Sequence, residues 1–479
     1  MTKPVRAIQA RIDQLRERFA ALGQAHVFAA WDRLDTADRQ ALLDQAAGLE
    51  PHLEELLKAE RDAVAALSSA RSDVLEPVDA VVLPEHGGDP ARREAGRTRG
   101  EAIQAEGRVA AFVVAGGQGT RLGYPGPKGG FPIGPVTDRC LFELLGLKLR
   151  GLSRRSGCPI PWYVMTSEAT DAATRALFEK SAYFGLPPED VFIFPQDMVP
   201  AFDFDSRLLM ATPGRIFESP NGHGGSLTAL DSSGALRDME RRGVDTIFYY
   251  QVDNPLVKIA DPVYLGLHDE ARAEMSCKVI RKRDPDAKWG VVARINGRIG
   301  IVEYTELDDE HRHLRDADGE LVYWAGSPAI HILSTDFVRR VAANASTILP
   351  FHASRKVVPH VDSDGRAVQP TEPNGIKLER FVFDALPAAE RVCIVEASAP
   401  EEFSPVKNAE GPESPAMARC DLMAVYRRWL EAAGLELPED RLVEIDHSRI
   451  DGPEEAAAVG LKSLAEASDF IRVAPGTRA

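Results

Sequence analysis

Apolar residues recur at helical spacing through the first part of the chain, and the pattern then changes twice. Ile8, Ile12, Leu15, Phe19 and Leu22 fall on one helical face, and Leu42, Leu43, Leu53, Leu56 and Leu57 continue the habit. The stretch from about Pro4 to Ala70 is therefore read as helical, with Asp35-Thr-Ala-Asp38 as a helix start. From Glu76 to Gly107, prolines, the pair Gly87-Gly88 and many charges break the period, which predicts a wrapping linker. From Val109 onward, short apolar runs alternate with helical ones. Strands are expected at Val109–Val114, Trp162–Met165, Val191–Phe194, Thr246–Val252, Lys278–Ile280, Val291–Ile295 and Gly300–Tyr304. Helices are expected at Leu141–Leu152, Ala169–Tyr183 and Ser226–Arg242. This alternation predicts an α/β fold with a mostly parallel sheet covered on both faces, whose ligands bind beyond the carboxyl ends of the strands. After about Ala385 a smaller module follows, with a strand at Arg391–Val395, a helix at Ala416–Ala433 and a charged tail.

A length of 479 residues calls for more than one core. The balance of 57 basic against 73 acidic residues, net −16, argues against a general nucleic-acid or membrane binder. An anionic substrate must then be drawn in by local cations. Cys140, Cys158, Cys277, Cys393 and Cys420 are scattered without a Cys-x-x-Cys pair, so neither a zinc site nor a disulfide framework is suggested, and reduced core thiols are expected. Met1-Thr-Lys-Pro-Val-Arg leads into charged amphipathic sequence rather than an apolar signal region, and no apolar stretch approaches the length of a bilayer span. A cytoplasmic location is the expectation.

Candidate chemistry begins at Ala115-Gly-Gly-Gln-Gly-Thr-Arg-Leu-Gly-Tyr-Pro-Gly-Pro-Lys128-Gly-Gly, directly after the Val109–Val114 run. Glycine permits positive φ and close approach of a ligand to backbone N–H groups, so such a loop can aim several donors at phosphate oxygens. Arg121 and Lys128 add two cations at the same place, which points to a polyanion such as a nucleoside triphosphate. The P-loop is excluded because no Ser or Thr follows Lys128, and the dinucleotide fingerprint because Leu122 stands where its third glycine belongs. Asp253, at the end of the most hydrophobic strand, is placed to hold Mg²⁺ with help from ligand phosphates, or else to form an Asp-Asn-Pro turn. Ser219-Pro-Asn-Gly-His223-Gly-Gly225 is a second glycine-rich loop, suited to a flat base or a phosphate. Gln196 is uninformative taken alone, and Lys377 and Lys407 are by default solvated side chains.

Taken together, the ordered motifs resemble the UDP-N-acetylhexosamine pyrophosphorylase branch of the eukaryotic-type UDP-sugar pyrophosphorylases. The shared wording is Ala115-Gly-Gly-Gln-Gly-Thr-Arg-Leu-Gly, Pro127-Lys-Gly, Tyr183-Phe-Gly-Leu, Val252-Asp-Asn, Leu256-Val-Lys-Ile-Ala-Asp-Pro, Val302-Glu-Tyr, Pro373-Asn-Gly-Ile-Lys and Phe403-Ser-Pro-Val-Lys-Asn-Ala, in order from about residue 110 to residue 430. The resemblance implies a glycosyltransferase-A-like (Rossmann-like) α/β core. It divides the chain into a helical N-terminal region and linker (1–107), a nucleotidyltransferase catalytic domain (108–385) and a small C-terminal α+β domain (386–479). It also implies roles: Val114, Ala115, Gly116 and Gly117 along the uridine and phosphates of UTP; Arg121 and Lys128 on the triphosphate; Gln196 and Gly222 at the uracil end; Asp253 beside phosphates and Mg²⁺. Gly290, Glu303, Tyr304 and Ser327 would face the sugar, and Lys377 and Lys407 would neutralise phosphates. Two departures stand out. His223 occupies the place of an asparagine in the nucleotide loop, as in the related UDP-glucose enzymes. Gly326-Ser327-Pro-Ala-Ile330 replaces Gly-Asn-Ile-Ala-Asn, whose first asparagine contacts the amino sugar.

The reaction so implied joins UTP to a sugar-1-phosphate, N-acetylglucosamine-1-phosphate first, and releases pyrophosphate. The sequence contains no Ser/His/Asp or Cys/His constellation, which suits a reaction that needs no general base. Alternatives at this stage are a glucose-1-phosphate or broad-range uridylyltransferase, a sugar transferase on the same core, and a catalytically inactive nucleotide-sugar-binding protein. No nucleic-acid or membrane partner is expected.

Overall fold

The computed structural model describes residues 3–67, 73–362, 364–435, 437–438, 440–459 and 471–475. Its contacts divide the chain into two compact units. These are not the consecutive blocks 1–107, 108–385 and 386–479. One unit joins Met1–Ser72, Asp197–Gly225 and Asn344–Asp384; the other joins Asp73–Gln196, Ser226–Ala343 and Ala385–Ala479.

In the first unit the helices Lys3–Ala21, Thr36–Leu49 and Leu53–Ala66 match the apolar period. Asp35 caps the second of them by accepting the Asp38 N–H at 2.8 Å. Their buried face holds Leu15, Phe19, Leu42 and Leu53, which share one core with Phe202, Ile216, Ile376 and Leu378 from the two later segments. Those segments are short antiparallel pairs: Met198–Pro200 with Glu218–Pro220, and His352–Lys356 with Gly375–Glu379. Two-stranded pairs this small are not stable alone. The helices bury their inner face, which is why residues far apart in sequence form one unit.

The second unit is built on a mixed sheet of 11 strands among the described residues. Across it lie Leu75–Glu76, Val291–Ile295, Ala325–Gly326, Met275–Arg281, His331–Ser334, Thr246–Gln251, Val109–Val114, Trp162–Thr166 and Val191–Pro195; Arg298–Val302 pairs with Val291–Ile295, and Val392–Ala397 with Met275–Arg281. The longest pairings are parallel: Val109–Val114 against Thr246–Gln251 and Met275–Arg281 against Val392–Ala397. The strand His331–Ser334, absent from the expected set, runs antiparallel between Met275–Arg281 and Thr246–Gln251. Its four residues are too few to show a strand period.

Three expectations are corrected here. The linker from Glu76 to Gly107 contains a 16-residue helix, Pro90–Ala105, capped by Asp89. Its Gly96 and Gly100 are packing residues rather than turn residues: a Cβ on Gly100 would lie 1.9 Å from the Pro262 carbonyl oxygen, and one on Gly266 would lie 1.9 Å from that of Gly96. Only glycines let this helix and Pro262–Glu270 approach so closely. The expected helix Ser226–Arg242 is two helices, Gly225–Ser232 and Ala235–Arg241, separated at Gly234 with φ +83°. The C-terminal helix Pro415–Ala432 buries Leu422, Val425, Tyr426 and Leu430 in the same core as Val109 and Phe142. It therefore belongs to the sheet unit instead of a separate small core.

Candidate functional site

The Val109–Val114 strand is buried between two parallel neighbours, and the glycine-rich loop leaves its carboxyl end. The Ala115 N–H still bonds the Met165 carbonyl at 2.8 Å, so the loop starts rigidly. Most of its glycines serve packing. Cβ atoms on Gly119, Gly126 and Gly130 would lie 2.8–2.9 Å from Tyr124, and one on Gly129 would lie 2.1 Å from the Phe142 ring. The loop is closed by Lys128 N–H to Gly117 O (3.0 Å) and Gly119 N–H to Gly126 O (2.9 Å). Gly117 has open space beside it, and Arg121 is exposed with no ion pair among the described residues. Gly116 faces Gln196: a Cβ there would stand 2.7 Å from the Gln196 Nε2. Gln196 is buried, and its Oε1 has no hydrogen-bond partner among the described residues. Gly129→Ala is expected to destabilise the protein by about 1–3 kcal/mol through overpacking against Phe142. Denaturant titration of the variant measures this, and an unchanged midpoint would contradict the packing role.

Asp253 follows the adjacent strand, Thr246–Gln251, and the Val252 N–H bonds the Val114 carbonyl at 3.1 Å. Two parallel neighbours thus deliver the glycine loop and the aspartate to the same edge of the sheet. Lys128 Nζ lies 3.5 Å from Asp253 Oδ2, and both side chains are mostly buried. Val406 N–H bonds the Asp253 carbonyl at 2.8 Å, which brings the Lys407 segment to the same turn. Lys407 Nζ pairs with Glu413 at 3.2 Å. Among the described residues no group of three or more His, Cys, Asp or Glu side chains is arranged to hold a metal ion. One carboxylate beside the glycine-rich loop is nevertheless a fitting donor set for Mg²⁺, which takes one or two carboxylates and completes its shell with substrate phosphates and water.

Two residues that the sequence reading passed over support this turn. Lys148, buried on the helix Leu141–Ser156, donates to the carbonyls of Pro255 (2.8 Å) and Val257 (2.9 Å). Burial lowers its pKa, against the attraction of Asp451 and Glu402. Asn254 is buried beside Asp253. Lys148 carried a usable signal, being a lone lysine within the run Leu144-Leu-Gly-Leu-Lys-Leu149.

Gly290, Glu303 and Ser327 come together. Val291 pairs with both Val302 and Gly326, so the residues flanking them meet at one level, and the Ser327 N–H bonds the Gly290 carbonyl at 2.9 Å. A Cβ on Gly290 would stand 3.4 Å from Glu303 Oε1. Continuing the register from Gly326 opposite Ile280, through Cys277, His331 and Tyr249, puts this group level with Gln251 and Val114. It therefore lies at the same edge of the sheet as the glycine loop. Tyr304 is 38% exposed, as a residue poised to meet a ligand can be. Ile330 does not belong to this group: its side chain is in the hydrophobic core. Ser327 keeps its place beside Gly290, and its Oγ accepts the Ala329 N–H at 3.3 Å.

Gly222, His223 and Lys377 belong to the other unit. Gly222 has φ +65°, and a Cβ there would meet the Arg380 carbonyl oxygen at 2.5 Å, so only glycine fits. His223 Nδ1 accepts the Val382 N–H at 3.1 Å, and its ring stacks on Phe381. Burial pushes its pKa down to about 4, helped by His352. The imidazole is thus neutral, with its proton on Nε2, and it organises the 380–382 backbone. Lys377 lies 5.1 Å from the Phe217 ring centre, and burial lowers its pKa, with Glu379 opposing and Lys356 adding to the effect. Because His223 is depressed in the folded state, the unfolded chain binds its proton first as pH falls. Stability attached to His223 is present above about pH 6.5 and is lost towards about pH 4. Relative to His223→Gln, wild type should therefore lose stability across that window. A parallel pair of stability-against-pH curves would contradict this.

The chain belongs to the family described as UTP–glucose-1-phosphate uridylyltransferase, which its residues 93–433 match. Within that family it is a relative of the UDP-N-acetylhexosamine pyrophosphorylases. It is 39% identical over 433 residues to a UDP-N-acetylhexosamine pyrophosphorylase-like protein 1 of Xenopus tropicalis, covering 88% of this chain and 84% of that one. It is 35% identical over 448 residues to the UDP-N-acetylglucosamine pyrophosphorylase of Saccharomyces cerevisiae, covering 90% and 93%. Among solved structures, the UDP-N-acetylglucosamine pyrophosphorylase of Trypanosoma brucei in complex with inhibitor matches with a TM-score of 0.77 at 28% identity, covering 88% of this chain and 87% of that one. No helix among the described residues is long and apolar enough to cross a membrane.

Proposed function

We propose that the protein is a uridylyltransferase that makes a UDP-sugar and pyrophosphate from UTP and a sugar-1-phosphate, with N-acetylglucosamine-1-phosphate preferred. The observation that carries this reading is the Lys128–Asp253 pair, 3.5 Å apart, at the ends of adjacent parallel strands and on the glycine loop of a family member. A phosphate oxygen of the sugar phosphate attacks the α-phosphorus of UTP. The new P–O bond forms as the bond to the β-phosphate bridge breaks, and pyrophosphate leaves with the electron pair. The second pKa of a phosphate monoester is about 6, so the nucleophile is already largely dianionic and no general base is needed. What opposes the reaction is repulsion between two polyanions. Arg121, Lys128 and Lys407 offset it by position and charge, and Lys377 is proposed to neutralise phosphate as well. Mg²⁺ held by Asp253 would supply further charge neutralisation at the phosphates.

Gln196 supports the choice of base. Uracil presents an N–H flanked by carbonyls, and a buried amide with a free Oε1 beside its Nε2 complements that edge, whereas cytosine lacks the N–H. UTP should be preferred over CTP, ATP and GTP, and Gln196→Ala should shrink the UTP-over-CTP preference by roughly 10–100-fold, the scale of losing one hydrogen bond to a buried group. Pyrophosphate-release kinetics with the four nucleotides test this; equal use of UTP and CTP by wild type would contradict it.

The sugar is tested by the same assay with the phosphates of N-acetylglucosamine, N-acetylgalactosamine and glucose. Ser327 offers a shorter polar group than the asparagine that the resemblance to the N-acetylhexosamine enzymes implies, so measurable use of glucose-1-phosphate is expected alongside the acetylated sugars. Strict exclusion of glucose-1-phosphate would mean that other residues supply the missing contact. No pyrophosphate with any sugar phosphate would favour a nucleotide-sugar-binding protein without activity.

A further inference from the structure

We infer that Asn254 is a positioning residue that fixes Lys407 relative to Asp253, an inference that rests on the proposed uridylyl transfer. The segment Ser404-Pro405-Val406 has only two backbone N–H groups, since proline has none. Both go to one turn: Ser404 N–H to Asn254 Oδ1 at 3.1 Å, and Val406 N–H to the Asp253 carbonyl at 2.8 Å. Asn254 completes the clasp by donating from Nδ2 to the Glu402 carbonyl at 2.7 Å, and its Oδ1 also accepts the Leu256 N–H at 3.3 Å.

Asn254 is 3% exposed, so these bonds form away from competing water. Each end of the clasp is itself held. Glu402 is gripped by Lys278, which pairs with Asp261 at 2.8 Å. The Ser404 hydroxyl donates to Asp421 at 2.6 Å. On the far side, the N–H groups of Lys407 and Asn408 both bond the Glu413 carbonyl, at 2.7 and 3.1 Å. Lys407 thus leaves a segment whose placement is set by the side chain next to Asp253. No other side chain bonds the backbone of Ser404–Val406 among the described residues.

A charge-stabilising lysine misplaced by about 1 Å can cost on the order of 10²-fold in rate. Asn254→Ala should therefore lower kcat by about 10- to 100-fold with little change in KM for UTP. In a Lys407→Ala background the same substitution should cost almost nothing further, because the group it positions is already gone. Asn254→Ser can still accept the Leu256 N–H but is too short to reach Glu402 or Ser404. It should lower kcat as Asn254→Ala does, and it replaces the alanine variant in the cycle if that one does not fold.

Amide hydrogen exchange gives a readout that does not need turnover. The amides of residues 404–406 should exchange faster in the Asn254 variants while those of the Val109–Val114 strand do not. If wild type releases no pyrophosphate, the proposed activity fails, and the exchange data still decide the clasp. Equal kcat losses in the wild-type and Lys407→Ala backgrounds, or unchanged exchange at 404–406, would overturn the inference.

Discussion

Lys128→Ala is expected to lower turnover by about 10²-fold or more at saturating substrates, the scale of losing one preorganised charge-stabilising group. Lys128 is fixed at both ends: its N–H closes the loop on Gly117 O, and its Nζ lies 3.5 Å from Asp253. The ammonium therefore pays little ordering cost when a triphosphate arrives. Its removal also leaves a mostly buried carboxylate without its cation, so a modest stability loss accompanies the kinetic one. The two effects separate experimentally, since denaturation reports the lost pair and turnover reports the lost phosphate contact. Lys128→Arg should restore the pair better than the rate, because a planar fork cannot reproduce a point charge in the same place. Near-normal turnover of Lys128→Ala would remove the residue from the chemistry.

Asp253→Asn is expected to slow the reaction by about 10²-fold and to shift the Mg²⁺ requirement to higher concentration. The substitution keeps shape and hydrogen-bonding capacity but removes the charge that suits a hard cation. The backbone of Asp253 would still accept the Val406 N–H, and Asn254 and Lys148 would still hold the turn, so the fold should survive. A magnesium titration that superimposes on that of wild type would make the aspartate a turn residue and nothing more.

How far the chain could be read in advance depended on whether a residue's role was local. Asp35 announced its helix because capping is settled within three residues. The strands at Val109 and Trp162 are visible because both faces are buried, leaving an unbroken apolar run. The helix Pro90–Ala105 is masked by the prolines, Gly87-Gly88 and charges around it, while its Gly96 and Gly100 are explained only by a helix distant in sequence. The glycines around Tyr124 look in sequence like phosphate-binding glycines, whereas most of them accommodate a ring. Asn254 was hidden inside an Asp-Asn-Pro turn signal, because its partners at Glu402 and Ser404 lie about 150 residues away. The grouping of Asp197–Gly225 and Asn344–Asp384 with the N-terminal helices was likewise invisible, being decided by a shared core and not by any local pattern.

The proposed roles of Lys128, Asp253 and Lys407 all require transfer of a uridylyl group to a sugar phosphate. ³¹P NMR of the purified protein with UTP, Mg²⁺ and N-acetylglucosamine-1-phosphate tests it most directly, because every phosphorus in the reaction is observed at once. The UTP and sugar-phosphate signals should decline together while those of UDP-sugar and pyrophosphate grow in equal amounts, with no build-up of orthophosphate or UDP. Unchanged UTP under these conditions, or its hydrolysis without a UDP-sugar signal, would contradict it.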